Sequence, residues 1–159
     1  GNYWYFTKVE EGKQYPTFLR SKTQDGANPE VLLDQNKMAE GFKYFAIGAF
    51  EPSDDGNLLA YSTDTTGYRQ YELQVKDLRT GKVLPDKIER VTSLEWSPDG
   101  KFLFLGQEDA VSKRSDKIWR HELGTNNTKL IFEEKDVFFN TGVGRSRDKQ
   151  MYFIASYAK

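Results

Sequence analysis

Few groups in this chain are able to move a proton or hold a ligand. His121 is the single histidine, cysteine is absent, and acidic side chains stand together at Glu10-Glu11, Asp54-Asp55 and Glu133-Glu134. Two carboxylates can share general acid and base work only when both reach one bond, and neighbours on an extended strand point to opposite faces. Asp54-Asp55 lies in a Ser-Asp-Asp-Gly string whose residue types make a tight turn, so its reading is structural. A lone histidine within a strand pattern reads the same way, as a satisfied residue rather than a ligand or catalyst. Without cysteine, a thiolate nucleophile and thiolate metal sites are excluded. No Gly-x-Ser-x-Gly elbow occurs, so no Ser-His-Asp set can be built around His121 in that manner.

The remaining motifs are weaker. Asp64-Thr65-Thr66-Gly67 and Asp54-Asp55-Gly56 put oxygen ligands beside glycine but lack calcium-loop spacing. Gly142-x-Gly144 lacks the third glycine and the strand-to-helix setting of a dinucleotide site. Asn126-Asn127-Thr128 is a formal glycosylation acceptor that matters only in a secreted protein. Lys113-Arg114 and Arg145-x-Arg147 are basic, yet 23 basic against 24 acidic residues leave a net charge of −1, which favours solvated loops over a nucleic-acid surface. No cofactor, metal, nucleic acid or membrane partner is expected, since no apolar run reaches the ~18 residues that span a bilayer. The absence of cysteine and of a signal-peptide pattern at Gly1-Asn2-Tyr3 predicts a cytoplasmic location.

The elements that carry these residues repeat. Ser53-Asp54-Asp55-Gly56, Ser97-Pro98-Asp99-Gly100 and Ser146-Arg147-Asp148-Lys149 start 44 and then 49 residues apart, and each precedes an apolar run. Those runs are Leu58-Leu59-Ala60-Tyr61, Phe102-Leu103-Phe104-Leu105 and Met151-Tyr152-Phe153-Ile154. An apolar stretch also precedes the turn, from Tyr44 to Phe50 in one copy and from Val91 to Trp96 in the next, and a third strand follows at Gln70 to Val75 and Lys117 to His121. Strand, turn and strand at this period predict an all-β chain of four-stranded antiparallel blades from a β-propeller. Residues 45–88 and 91–132 read as whole blades, residues 1–41 as an incomplete blade with its connection, and residues 137–159 as a second incomplete blade. Helical periodicity is confined to a turn or two around Asp34 to Gly41.

Several strings together resemble the N-terminal propeller of the prolyl oligopeptidase family of serine peptidases. They are Glu10-Glu11-Gly12-Lys13-Gln14-Tyr15-Pro16, Glu30-Val31-Leu32-Leu33-Asp34, Leu59-Ala60-Tyr61-Ser62 and Val75-Lys76-Asp77-Leu78-Arg79-Thr80-Gly81. Ile118-Trp119-Arg120-His121-Glu122-Leu123-Gly124-Thr125 and Glu133-Glu134-Lys135-Asp136 look most like the oligopeptidase B branch. The resemblance implies part of a seven-bladed propeller over an α/β-hydrolase domain, admitting short peptides that the full-length enzyme cleaves after Arg or Lys. It assigns no catalytic residue to this chain, because the family's catalytic motifs have no counterpart here.

Two places are then candidates for sorting peptides or touching the hydrolase domain. One is Lys113 and Arg114, in the polar insertion from Glu108 to Asp116, and the other is Glu133 and Glu134. Incomplete blades also predict unpaired strand edges and hence self-association. The rival reading is a stand-alone propeller-repeat module that binds a protein or ligand.

Overall fold

The computed structural model describes residues 2–158. Its first sheet orders β1 (Trp4–Lys8), β2 (Thr17–Ser21) and β3 (Glu30–Asp34), and a short helix α1 (Gln35–Met38) follows. The second contains β4 (Ala46–Pro52), β5 (Leu58–Asp64) and β6 (Glu72–Asp77). The third contains β7 (Val91–Trp96), β8 (Phe102–Glu108), β9 (Ser115–Glu122) and β10 (Thr128–Glu133), and the fourth β11 (Phe139–Arg145) and β12 (Tyr152–Ala158). Every pairing between these strands is antiparallel. No strand pairs one sheet to the next among the described residues, so the sheets meet through side chains, as propeller blades do. The all-β reading holds, and the helix stands where Asp34 caps it with bonds from the N–H groups of Asn36 and Lys37.

The repeated turn is self-contained, which is why its spacing is so legible. Ser53 Oγ donates to Asp55 Oδ1 at 2.7 Å and accepts the Leu58 N–H at 3.0 Å. Ser97 repeats this with Asp99 at 2.7 Å and Phe102 at 3.0 Å. Ser146 does so with Asp148 at 2.5 Å and Met151 at 3.0 Å. Gly56 and Gly100 take φ of +75° and +69° there, while the third copy places Lys149 at +60°, a conformation that burdens any residue with a Cβ.

The second sheet lacks a regular fourth strand. The chain over residues 83–91 pairs with β6 only by a Lys76–Val83 bridge and by bonds of Leu84 N to Val75 O, Leu73 N to Ile88 O and Val91 N to Tyr71 O. Pro85 has no N–H to give a ladder, and after it Asp86 turns inward.

The main core fills the space between the second and third sheets, with Leu73, Val75, Leu94, Trp96, Leu103 and Leu105 almost wholly buried. A smaller cluster of Leu32, Leu33, Leu59 and Tyr61 joins the first sheet to the second. The leading strands β4, β7 and β11 lie side by side. Their common edge positions the charged groups described next.

Candidate functional site

Alternate chain reversals fall at opposite ends of the sheets. At one end lie the loop after β1, the connection from α1 to β4, the loops after β5 and β8, and the connection from β10 to β11. These carry Val9, Phe42, Tyr44, Tyr68, Val111, Val137 and Phe138 as exposed apolar side chains. The turns at the other end, residues 22–29, 53–57, 78–82, 97–101, 123–127 and 146–151, carry one among the described residues, Met151. A cavity of about 590 Å³ also opens at the apolar end, floored by Phe45 and Tyr61 and flanked by Phe42 and Tyr71.

The four residues singled out from sequence divide at this end. The loop after β8 is folded on itself: Asp109 Oδ1 accepts the N–H groups of Val111 and Ser112 at 3.0 and 2.8 Å, leaving Val111 at the tip and Lys113 in solvent. Arg114 turns inward and is 8% exposed. Its Nη1 donates to the carbonyls of Glu134, Asp136 and Phe139 at 2.9, 3.1 and 2.9 Å, and its Nη2 lies 3.7 Å from Asp116 Oδ2. One guanidinium therefore fastens the connection that presents Val137 and Phe138. Glu133 is exposed, 3.9 Å from Lys117 Nζ, and Glu134 accepts the Asp136 N–H at 3.0 Å. A hydrogen bond from Ser156 is the first cause holding the Glu134 carboxyl below its ordinary range. Lys113 and the two glutamates lie around the connection that Arg114 braces, but no bond joins Lys113 to either glutamate.

His121 is a brace between sheets. Its Nε2 is 2.8 Å from Asp86 Oδ1 and its Nδ1 2.9 Å from Thr128 Oγ1, while the Gly124 N–H donates to the same Asp86 oxygen at 2.7 Å. An Asp–His–hydroxyl order has the polarity of a proton relay. Here, however, His121 and Asp86 are 3% and 6% exposed and both ring nitrogens are occupied by their own chain. Asp86 and Thr128 are partners of His121 that strand periodicity could not indicate. No group of three or more His, Asp and Glu side chains suited to a metal is found among the described residues.

A third constellation escaped the sequence reading. At the polar end, Arg145 at the close of β11 grips Asp54 in the turn after β4 with bonds of 2.7 and 3.0 Å, and Lys149 Nζ stands 3.5 Å from Asp54. This pair bonds the second sheet to the fourth, past the third. Beside it is a cavity of about 230 Å³ lined by Glu51 of β4 and Glu95 of β7. Burial pushes the Glu51 carboxyl up to about 7, the Glu95 charge adds to the rise and Lys149 opposes it. Burial raises Glu95 as well. The signal was present in the repeat: both glutamates stand two residues before the Ser of their turn, where the third copy has Gly144.

The family described as "Prolyl oligopeptidase, N-terminal beta-propeller domain" matches residues 1–159. Among curated proteins, dipeptidyl aminopeptidase BI of Pseudoxanthomonas mexicana is 37% identical over 171 residues, covering 96% of this chain and 24% of that protein. Protease 2 of Moraxella lacunata is 33% identical over 170 residues, covering 100% and 24% respectively. Among solved structures, oligopeptidase B from Leishmania major superposes with a TM-score of 0.90 at 27% identity, over 99% of this chain and 23% of that one. Oligopeptidase B from Trypanosoma brucei, with covalently bound antipain, gives 0.85 at 31% identity over 98% and 22%. The chain thus spans about a quarter of the length of these relatives.

Proposed function

Because this chain belongs to the prolyl oligopeptidase family, as part of its N-terminal β-propeller domain, we propose that it screens peptides for an α/β-hydrolase domain of the same full-length protein and does no bond-breaking itself. The observation that carries this reading is the unequal distribution of apolar side chains between the two ends of the sheets. Exposed Tyr68, Val111, Val137 and Phe138 crowd one end, as a surface that is covered by another domain requires. Lys113, Glu133 and Glu134 supply charges around that end for the domain contact or for sorting peptides, and Arg114 positions the connection beside them. Screening of this kind acts by excluding bulky chains and water from a closed site, so its contribution is steric and electrostatic.

We propose further that the full-length protein cleaves short peptides after Arg or Lys in the cytoplasm. Similarity to the oligopeptidase B structures supports the specificity, and the cysteine-free composition supports the location. The test compares full-length protein and this chain on fluorogenic peptides ending in Arg, Lys, Pro or Ala at the cleaved bond, and on a folded protein. The expected result is cleavage of the short Arg and Lys peptides by the full-length protein and none by this chain. Release of N-terminal dipeptides irrespective of Arg or Lys would align the protein with its dipeptidyl aminopeptidase relative and end the specificity proposal. Turnover by the 159-residue chain alone would end the screening proposal.

Studied by itself, the chain exposes the outer edges of β1 and β12, and open edges template pairing with another copy. Light scattering should give a mass above that of one chain, falling toward one chain when charged residues replace Phe153 and Tyr157, both half exposed on β12. A monomer at all concentrations would remove self-association from the proposal.

A further inference from the structure

Hydrogen bonds link the fourth, third and second sheets in sequence. Tyr152 Oη of β12 donates to the Trp96 carbonyl of β7, and Trp96 Nε1 donates to the Glu51 carbonyl of β4 at 2.7 Å. Trp96 is 2% exposed, so this seam is packed as tightly as the core. Against it stand two carboxylates from equivalent positions of adjacent sheets, Glu51 and Glu95, and the Arg145–Asp54 tie. Arg145 is fully committed: besides Asp54, its Nε and Nη2 reach the Lys149 carbonyl at 3.1 and 3.0 Å and its guanidinium lies 5.0 Å from the Tyr152 ring centre. Lys149 is held more loosely: its side chain is 54% exposed and its contact with Asp54 is 3.5 Å, and the exposed Arg147 lines the same cavity.

We propose that these groups form a proton-operated latch across the seams of the leading strands: protonated Glu51 lets the second and third sheets close on Trp96, and its ionisation beside Glu95 loosens that closure and draws Lys149 from Asp54 toward the cavity. Glu51 faces Glu95 on β7, Asp54 in its own turn, and Arg145, Arg147 and Lys149 on β11 and the following turn. From the first sheet come Tyr3 and Tyr5, with Arg20 stacked 3.9 Å from the Tyr3 ring centre. Arg20 is already bonded to Glu30 at 2.7 Å and Arg145 to Asp54, which leaves Lys149, 3.5 Å from Asp54, and the exposed Arg147 as the cations able to move. The direction of the effect follows from Glu51 holding its proton to about pH 7 in the folded chain against 4.5 ordinarily. A raised carboxyl favours folding at low pH, and that advantage disappears as pH climbs through this window.

The latch concerns the seam itself and is read without substrate, so its failure is separate from failure of the peptidase reading. The experiment follows Trp96 fluorescence from pH 5 to 9 in a Trp4→Phe/Trp119→Phe background, alongside thermal unfolding of the unmodified chain. Expected is a one-proton emission shift with its midpoint near 7, absent in Glu51→Gln, moved down in Glu95→Gln and moved up in Lys149→Met. Glu51→Gln should also unfold roughly 3–6 °C higher than the parent at pH 8.5 and at the same temperature near pH 4.5. A shift that survives Glu51→Gln overturns the proposal. So do equal midpoints in Glu95→Gln, Lys149→Met and the parent, or a flat unfolding difference with pH, which read the latch even if the tryptophan background does not fold.

Discussion

His121→Ala should lower the unfolding midpoint by roughly 10 °C. Among the described residues the imidazole is the one side-chain partner of the Asp86 carboxylate, which keeps the Gly124 N–H once the ring is removed. Leaving a buried hydrogen-bonding group without its partner costs about 1–3 kcal/mol, and more where the group is a carboxylate. At this chain length each kcal/mol moves the midpoint by roughly 2–4 °C. Removing both groups should cost less than the two single losses together, since no carboxylate is then stranded. Thermal unfolding of His121→Ala, Asp86→Ala and the double variant measures that difference. Additive losses, or a His121→Ala protein within about 1 kcal/mol of the parent, would contradict the brace, and catalytic chemistry at His121 would have to be reconsidered.

Arg114→Met should come next, at about 3 kcal/mol, with its damage concentrated at one place. Three carbonyls, of Glu134, Asp136 and Phe139, depend on one nitrogen of this guanidinium. A hydrogen bond to a charged group contributes about 1.5–3 kcal/mol; three that share a donor atom do not add, which sets the total below their sum. Methionine keeps most of the length and volume but donates nothing. Hydrogen exchange should therefore quicken in β11 and β12, whose entry point Phe139 the arginine secures, while β5 and β8 keep their protection. Lysine at 114 should recover only part of the loss, as a point donor lacks the planar fork of arginine. Uniform exchange changes across all four sheets would mean that Arg114 contributes bulk and not a tether. In the full-length protein the same variant should weaken peptide turnover through the displaced Val137 and Phe138, with Lys113→Ala giving the comparison for charge alone.

The boundaries of the strands show where local reading ends. The apolar run beginning at Tyr44 predicts a strand from there to Phe50, but β4 covers Ala46–Pro52. It contains a bulge between Ile47 and Phe50. Gly48 sits in that bulge so close to its neighbours that a Cβ would stand 2.7 Å from Ser62 Oγ and 2.8 Å from the Tyr71 ring. Similarly, the strand predicted from Gln70 starts at Glu72. The preceding loop is held by the wholly buried Asp64, which accepts from Thr66 N at 2.8 Å and Arg69 N at 2.9 Å. That loop reads as a turn from its residue types, and its carboxylate accepts backbone N–H groups on both sides of Gly67.

What the order of residues determined unaided is everything whose cause lies within about five positions: the Ser-x-Asp turns, the strands on either side of them, their period and hence the propeller. Turn bonds and strand alternation are decided by near neighbours, so they survive without knowledge of the rest of the fold. Only the packed sheets decided which charges meet. Asp86 and His121 are 35 residues apart, Asp54 and Arg145 are 91 apart, and the carbonyls under Arg114 carry no side-chain signature. Those encounters depend on the angle and distance between blades, which arise from summed contacts over whole sheet faces, so no short stretch of sequence contains them.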